Sequence, residues 1–123
     1  MMIRTLMTAV AALAFAAPTA TAAGDVEAGK ATYQANCASC HGPEGRGDGP
    51  VAMALDPKPR DFAEAQFKYD TDGDGTTGTD ADVTNIVQQG AAAFGGNVMM
   101  APLPHLSDAE VANIIAYIRT LEK

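Results

Sequence analysis

The clearest hydrophobic pattern in the chain lies near its carboxyl end. Ser107-Asp108-Ala109-Glu110 has the form of a capping box, in which Ser107 and Glu110 each bond the other's backbone. An amphipathic helix is therefore predicted to begin just after Ser107. Tyr117 lies at the edge of its apolar stripe, which follows helical spacing through Val111, Ile114, Ile115, Ile118 and Leu121.

Two weaker helical patterns come earlier in the chain. The first predicts a helix from Val26 to about Asn36, with Asp25 as its N-cap. The second opens with Thr79 and Asp82, which are spaced as a capping pair, and ends where Gly90 occupies the C′ position. Its apolar residues follow the i, i+3, i+4 pattern: Val83, Ile86 and Val87.

Long segments rich in glycine, proline and aspartate separate these helices. Residues 42–50 hold four glycines and two prolines, and residues 70–80 and 91–104 are also predicted to be irregular. Residues 51–55 can form one helical turn, and residues 61–69 a short helix. No strand is predicted, so we expect an all-α domain of three to five helices. Loops this long suggest that something other than protein helps to order them.

The amino-terminal residues have the layout of a secretory signal peptide. Arg4 supplies a positive charge, residues 6–17 are almost uniformly small or apolar, and Ala20-Thr21-Ala22 resembles a cleavage site. A bilayer-spanning helix needs roughly 20 apolar residues, so an uncleaved anchor is the weaker alternative. We therefore expect residues 1–23 to be removed and residues 24–123 to form one soluble domain in the bacterial periplasm.

The chain is acidic, with a formal charge of −7. Without Arg4, seven basic residues stand against fifteen acidic ones, which gives −8. Such a charge disfavours nucleic acids and anionic membranes as partners. It permits a basic protein partner, but a solvated acidic surface that aids solubility is the favoured interpretation.

The segment Cys37-Ala-Ser-Cys40-His41 contains the only two cysteines of the chain. A disulfide-exchange motif normally follows a strand, whereas a helix is predicted before Cys37. A structural zinc site needs four ligands, and His41 is too close to Cys40 for the usual zinc spacing. Cys-x-x-Cys-His is also the attachment signature of c-type haem. Residues i and i+3 of a helical turn share a side, so both thiols can bond one macrocycle and His41 can coordinate its iron.

Further residues make the chain resemble the class I cytochromes c, which are small monohaem electron carriers. Gly29-Lys-Ala-Thr-Tyr33 is similar to their first helix, and Ile114 and Tyr117 are similar to the positions on which it packs. The resemblance implies an all-α class I cytochrome c fold wrapped around one covalent haem. It also implies that the first and last helices cross, with glycine allowing their backbones to approach.

In that family a methionine on a late loop is the second axial ligand of the iron. Met100 precedes Leu106-Ser107-Asp108 at a similar distance, and Met99 is the alternative. Ala101 stands where the family usually has proline, and this difference leaves the register open. His105 is a weaker candidate for a second histidine ligand. Met53 is expected to fill space in the core.

Two supporting residues are also suggested, and the first of them, Pro50, matches a family position. The carbonyl of Pro50 would accept a hydrogen bond from the second ring nitrogen of the haem histidine, an interaction that orients the imidazole. Pro50 can equally be only the end of a loop. Arg60 is a candidate partner for a haem propionate, because guanidinium matches carboxylate geometry. The alternative for Arg60 is an ordinary surface position.

One acidic loop is not required by the resemblance. Asp70, Asp72 and Asp74, followed by Gly75, match the opening of an EF-hand calcium loop. Position 12 should be a bidentate carboxylate but is alanine, flanked by Asp80 and Asp82. The sequence therefore permits a weak calcium site, and a solvated acidic turn is the alternative.

These residues predict an electron carrier rather than an enzyme. With a histidine and a methionine on the iron, no position is left for a substrate, and the expected partners are redox proteins that donate and accept electrons. We expect a monomer. Two alternatives stay open: a haem subunit of a larger oxidoreductase or respiratory complex, and a sensor whose methionine is displaced by a small gas.

Overall fold

The computed structural model describes residues 11–14 and 24–123, and most of the predicted signal peptide lies outside these residues. The described part contains α-helices, 3₁₀ turns and loops but no strand, which confirms the predicted all-α class. The 3₁₀ turns are Ala52–Ala54 and Ala91–Phe94. The α-helices are α1 (Val26–Asn36), α2 (Ala38–His41), α3 (Asp80–Gln89) and α4 (Asp108–Leu121).

The three longer helices begin at the predicted caps. The Asp25 carboxylate accepts a hydrogen bond from the N–H of Ala28. Capping boxes close the start of α3, between Thr79 and Asp82, and the start of α4, between Ser107 and Glu110. Each cap satisfies backbone donors that have no partner inside the helix, which explains why these boundaries were predictable from local sequence.

Helices α1 and α4 cross at very short range, as predicted. A Cβ atom at Gly29 would overlap the carbonyl of Asn113, so only glycine fits at the crossing. The side chain of Asn113 also accepts a hydrogen bond of 2.8 Å from the N–H of Asp25. One turn further along, the rings of Tyr33 and Tyr117 meet edge to face with centroids 5.1 Å apart.

The core lies between this crossing and α3. Tyr33 is fully buried within it, and Phe62 and Leu106 enter it from loops. Its remaining members come from the apolar faces of α3 and α4: Val83, Val87, Val111, Ile114, Ile115, Tyr117 and Ile118. Among the described residues, no helix has the length and apolar character needed to cross a membrane.

The short helix predicted over residues 61–69 is absent. The Asp61 carboxylate accepts hydrogen bonds from the N–H groups of Ala63 and Glu64, and Ala65 has a positive φ of 52°. A right-handed helix cannot contain that φ angle. The segment therefore makes a turn, and Phe62 is directed into the core.

Candidate functional site

A cavity of about 260 Å³ lies beside the core. Its wall is mostly apolar and is formed by α1, α2, α3, α4 and the loops between them. The predicted chemical groups line it together: the thiols of Cys37 and Cys40, the imidazole of His41, and the side chains of Met99 and Met100. The fold thus joins two segments that lie about 60 residues apart in the sequence.

Both cysteines belong to one helical turn. Cys37 is the N-cap residue of α2 and Cys40 lies three positions later, and both thiols are free and half-buried. Burial, with a smaller effect of the neighbouring Cys40, raises the pKa of the Cys37 thiol to about 11. Disulfide-exchange cysteines instead have a lowered pKa that favours the thiolate. The geometry therefore agrees with two attachment points on one side and does not favour a disulfide-exchange pair.

The glycine-rich loop holds this helical turn in place. N–H groups of the loop donate to the last carbonyls of α2: Gly47 to His41 at 2.8 Å, and Gly49 to Cys40 at 3.1 Å. A Cβ atom at Gly49 would overlap the carbonyl of Ser39, so the close approach of the loop depends on glycine. The loop acts as a backbone cap for a helix too short to be stable alone.

His41 is oriented by one hydrogen bond and one ring contact. Its Nδ1–H donates to the carbonyl of Arg60 at 3.1 Å, and its ring stacks on Phe62 with centroids 4.6 Å apart. Burial lowers the pKa of His41, although the hydrogen bond to Arg60 acts in the opposite direction. Burial therefore favours the neutral imidazole, which is the form that binds metals, and Nε2 has no hydrogen bond among the described residues.

The expectation for Pro50 is wrong in this structure, because the acceptor for His41 is the carbonyl of Arg60. Pro50 lies on the exposed side of the glycine-rich loop, and its neighbours Gly49 and Val51 bind the carbonyls at the end of α2. Arg60 is half-buried and lines the cavity, so it is well placed for the predicted propionate contact.

Met99 and Met100, on the loop that precedes α4, lie in different environments. Met100 is half-buried and packs against the core, whereas Met99 is 62% exposed. The Met100 carbonyl accepts a 2.9 Å hydrogen bond from the N–H of Ala91, and the N–H of Leu103 donates to Val87 over the same distance. These bonds attach the loop to the end of α3 on both sides of Met100. The packing favours Met100 as the residue that faces His41, and its ligation stays a prediction.

Two other expectations concerned residues that lie outside this wall. His105 is exposed, and its Nε2 lies 3.1 Å from the side-chain oxygen of Asn36. Met53 was expected to fill the core but is 93% exposed, because the 3₁₀ turn that carries it buries Ala52 instead.

The structure does not support a calcium site in the acidic loop. Carboxylate oxygens of Asp70, Asp72 and Asp74 lie within 4.8 Å of one another. The Asp70 carboxylate, however, already accepts three hydrogen bonds from backbone N–H groups of the loop. These bonds hold an exposed acidic turn closed without an ion.

Neither carboxylate beside position 12 is free to complete the calcium site. Asp80 pairs with the guanidinium of Arg119 at 2.8 Å. Asp82 is only 2% exposed, and its oxygens accept hydrogen bonds from Thr71 and Thr79. The missing bidentate ligand therefore cannot come from either neighbour.

Sequence reasoning missed Asn97, which links two loops of the cavity wall. Its amide Nδ2 donates to the carbonyl of Asp56 at 3.1 Å, while its Oδ1 accepts from the N–H of Met99 at 2.8 Å. Its backbone carbonyl also accepts a 3.1 Å hydrogen bond from the N–H of Met100. An asparagine after two glycines indicates only a turn, so no local signal could reveal this role.

The residues present fit a covalently attached haem. Two free thiols lie one turn apart at the edge of an apolar cavity, and an imidazole oriented by a hydrogen bond follows them directly. The same cavity is lined by Met99 and Met100 from the late loop. Three cationic side chains line it and are available to acidic substituents of a bound group: Lys58, Arg60 and Lys68.

Comparison with known proteins agrees with this fit. Residues 26–122 match the model of the Cytochrome c family. Cytochrome c-554(547) of Halothiobacillus neapolitanus is 30% identical over 102 residues, which are 81% of this chain and the whole of that protein. A chain from the reducing HAO-like protein complex of Kuenenia stuttgartiensis has a similar structure, with a TM-score of 0.68 and 30% identity. That alignment covers 82% of this chain and 44% of the other.

Proposed function

Because the chain belongs to the cytochrome c family, we propose that it is a soluble periplasmic electron carrier with one haem c, ligated by His41 and Met100. The observation that carries this proposal is the cavity wall, which brings both cysteines, the histidine and the methionine loop together. The signal-peptide pattern of residues 1–23 supports export to the periplasm.

Each of these residues has a separate task. Cys37 and Cys40 would hold the haem through thioether bonds, and Nε2 of His41 is available to coordinate the iron because Nδ1 donates to the carbonyl of Arg60. A haem held there supplies a one-electron Fe(III)/Fe(II) couple, and a thioether ligand favours the ferrous state. The apolar side chains that α3 and α4 contribute to the cavity wall would limit the contact of a bound haem with water.

If His41 and Met100 both bind the iron, no coordination position would be left for a substrate. This arrangement supports a carrier that exchanges electrons with redox proteins rather than an enzyme. The formal charge of −8 on residues 24–123 is compatible with a basic patch on a partner.

The proposal is tested on the mature protein, purified from a host that attaches haem to exported proteins. We expect a reversible one-electron couple in a spectroelectrochemical titration, and haem that acidified organic solvent does not extract. The oxidised protein should show the methionine-to-iron charge-transfer band of a six-coordinate, low-spin centre. A five-coordinate, high-spin spectrum would rule out methionine ligation and favour the gas sensor.

A second candidate function is a haem subunit dedicated to a larger complex. It is favoured by the similarity to a chain of an HAO-like protein complex, in which the matched region is only 44% of that chain. Size-exclusion chromatography of extracts from the native organism distinguishes the two functions. The carrier elutes as a small free protein, and the subunit elutes with its partner.

A further inference from the structure

Asp82 is the one acidic residue that lines the cavity among the described residues. It lies in the first turn of α3 and is 2% exposed. The other charged side chains of the wall are the cations Lys58, Arg60 and Lys68, of which the two lysines are exposed to solvent. Asp82 therefore differs from them both in sign and in burial.

The Asp82 carboxylate is fully engaged in hydrogen bonds that favour its ionised form. One oxygen accepts from the N–H of Thr71 at 2.6 Å and from its hydroxyl at 2.9 Å. The other oxygen accepts from the N–H of Thr79 at 3.0 Å. Burial acts to raise the pKa of Asp82, but these bonds to Thr71 and Thr79 outweigh it and hold the pKa at about 2.

A second interaction keeps Thr71 in place. Its hydroxyl oxygen accepts a 2.8 Å hydrogen bond from the side-chain amide of Asn85, which lies one turn after Asp82 in α3. The hydroxyl can therefore direct its proton at Asp82. The carboxylate is held ionised by a network that includes the loop before α3 as well as the helix itself.

A buried charge acts on its surroundings more strongly than an exposed one. The effective dielectric constant inside a protein is well below that of water, whereas salt and water screen the exposed lysines. An oxidised haem iron carries one more positive charge than a reduced one. A fixed negative charge in the cavity wall thus stabilises the oxidised state.

We propose, on the basis of the electron-carrier function above, that Asp82 lowers the reduction potential of the haem by holding an ionised carboxylate in the cavity wall. The residue then has two roles. It closes the start of α3 and it opposes the effect of the methionine ligand, which raises the potential.

The test compares the midpoint potentials of the haem-loaded wild type, Asp82→Asn and Asp74→Asn by spectroelectrochemical titration. Asp82→Asn removes the charge and keeps a similar shape, so we expect the potential to rise. Asp74→Asn removes an equal charge from an exposed loop position that does not line the cavity, and we expect a much smaller shift. Equal shifts in both variants, or none in Asp82→Asn, would overturn the proposal.

Further variants separate the charge from the structural role of the residue. Thr71→Val removes the hydroxyl hydrogen bonds to Asp82 and Asn85 and keeps the charge, so it should lower the thermal unfolding midpoint without raising the potential. A loosened wall admits water, which favours the oxidised iron and lowers the potential, opposite to the change expected for Asp82→Asn. Asp82→Ser is a second variant that removes the charge and keeps a capping oxygen, and Asp82→Glu keeps the charge.

The same titration separates an error in the role of Asp82 from an error in the proposed carrier function. If the wild type shows no reversible one-electron couple, the carrier function is wrong. If the wild type is reversible but Asp82→Asn does not raise the potential, only the role of Asp82 is wrong, and Asp82→Ser should give the same result. Covalent attachment through Cys37 and Cys40 is expected to retain haem in destabilised variants, so potentials remain measurable.

Discussion

The two sides of the cavity are built in different ways. We call residues 37–50 together with Phe62 the histidine wall, and residues 97–103 the methionine wall. In the histidine wall a short helix, its glycine-rich cap and a stacked aromatic ring support one another, and Phe62 belongs to the core. The methionine wall is a loop held mainly by backbone hydrogen bonds to the end of α3 and by the side chain of Asn97.

This difference predicts unequal local stability. The histidine wall cannot open without disturbing Phe62. The ring of Phe62 also meets Tyr33 edge to face and stacks on Phe67. The methionine wall can separate from α3 after a few hydrogen bonds are broken and the partly buried side chains of Met100 and Leu103 leave the core. Local opening free energies in proteins follow such differences in buried contact. We therefore expect the methionine side to respond first to heat, denaturant or mutation.

The difference between the two walls would disappear if the histidine wall did not attach the haem. Replacing both cysteines by alanine, Cys37→Ala with Cys40→Ala, should make all of the haem extractable by acidified organic solvent, because no thioether bond can form. The haem content of the protein after extraction, measured by absorbance, checks this. Covalently retained haem in the double variant would show that another residue is the attachment point.

Phe62→Ala tests the support of the histidine wall. Loss of a buried ring that stacks on His41 should destabilise the protein by about 3–5 kcal/mol. The free energy of unfolding in guanidinium chloride measures the effect. Phe94→Ala is a matched control, since Phe94 is half-buried and lies outside the core cluster. A loss as small as that of the control would show that the histidine wall does not depend on the ring.

Met100→Ala and Met99→Ala test which residue of the methionine wall binds the iron. Met100 packs against the core and Met99 is mostly exposed, so only the first substitution should abolish the methionine-to-iron charge-transfer band. The spectrum of the oxidised protein provides the measurement. If Met99→Ala alone removes the band, the exposed methionine is the ligand and the wall must rearrange when haem binds.

Asn97→Ala should loosen the methionine wall while leaving the histidine wall intact. It removes hydrogen bonds to Asp56 and Met99, with an expected local cost of about 1–2 kcal/mol. The charge-transfer band should disappear at a lower denaturant concentration than in the wild type, well before the helical signal. Asn97→Asp keeps the acceptor for Met99 but not the donor for Asp56, so its effect separates the two bonds.

A last and smaller effect concerns the acid stability that Asp82 contributes at the start of α3. The pKa of Asp82 is about 2 in the folded protein, below the ordinary value of roughly 3.9. The unfolded chain therefore binds this proton more readily, and the stability that Asp82 contributes is present above about pH 4 and is lost as the pH falls toward 2. Urea unfolding at pH 4 and pH 2.5 should show a loss of about 1 kcal/mol in the wild type that Asp82→Asn lacks. Identical losses in the two proteins would mean that another group titrates.

Local patterns predicted most of the fold. The caps at Asp25, Thr79 and Ser107 act within four residues, so the sequence around them was enough to place the helix starts. The exception is the segment 61–69, whose composition favours a helix. Its turn combines local hydrogen bonds to the Asp61 carboxylate with the burial of Phe62, and that burial depends on contacts with residues far away in the chain.

In the candidate site, too, some features follow from the local sequence and others depend on contacts between distant segments. The spacing of Cys37, Cys40 and His41 is a property of one helical turn, and it predicted their shared wall. The roles of Arg60 and Asn97 depend on where two loops pack against each other, which no neighbouring residue signals. Likewise, Pro50 resembled a family position, but the path of its loop left the hydrogen bond to a different carbonyl.

The sequence by itself therefore determined the helix boundaries, the glycine at the helix crossing and the attachment motif, because each rests on short-range geometry or on steric exclusion. Only the tertiary structure decided which methionine is packed inward, which carbonyl orients His41 and that Asp82 is buried beside the cavity. These outcomes depend on long-range packing, in which competing positions differ by a few hydrogen bonds and by the surface that each removes from water.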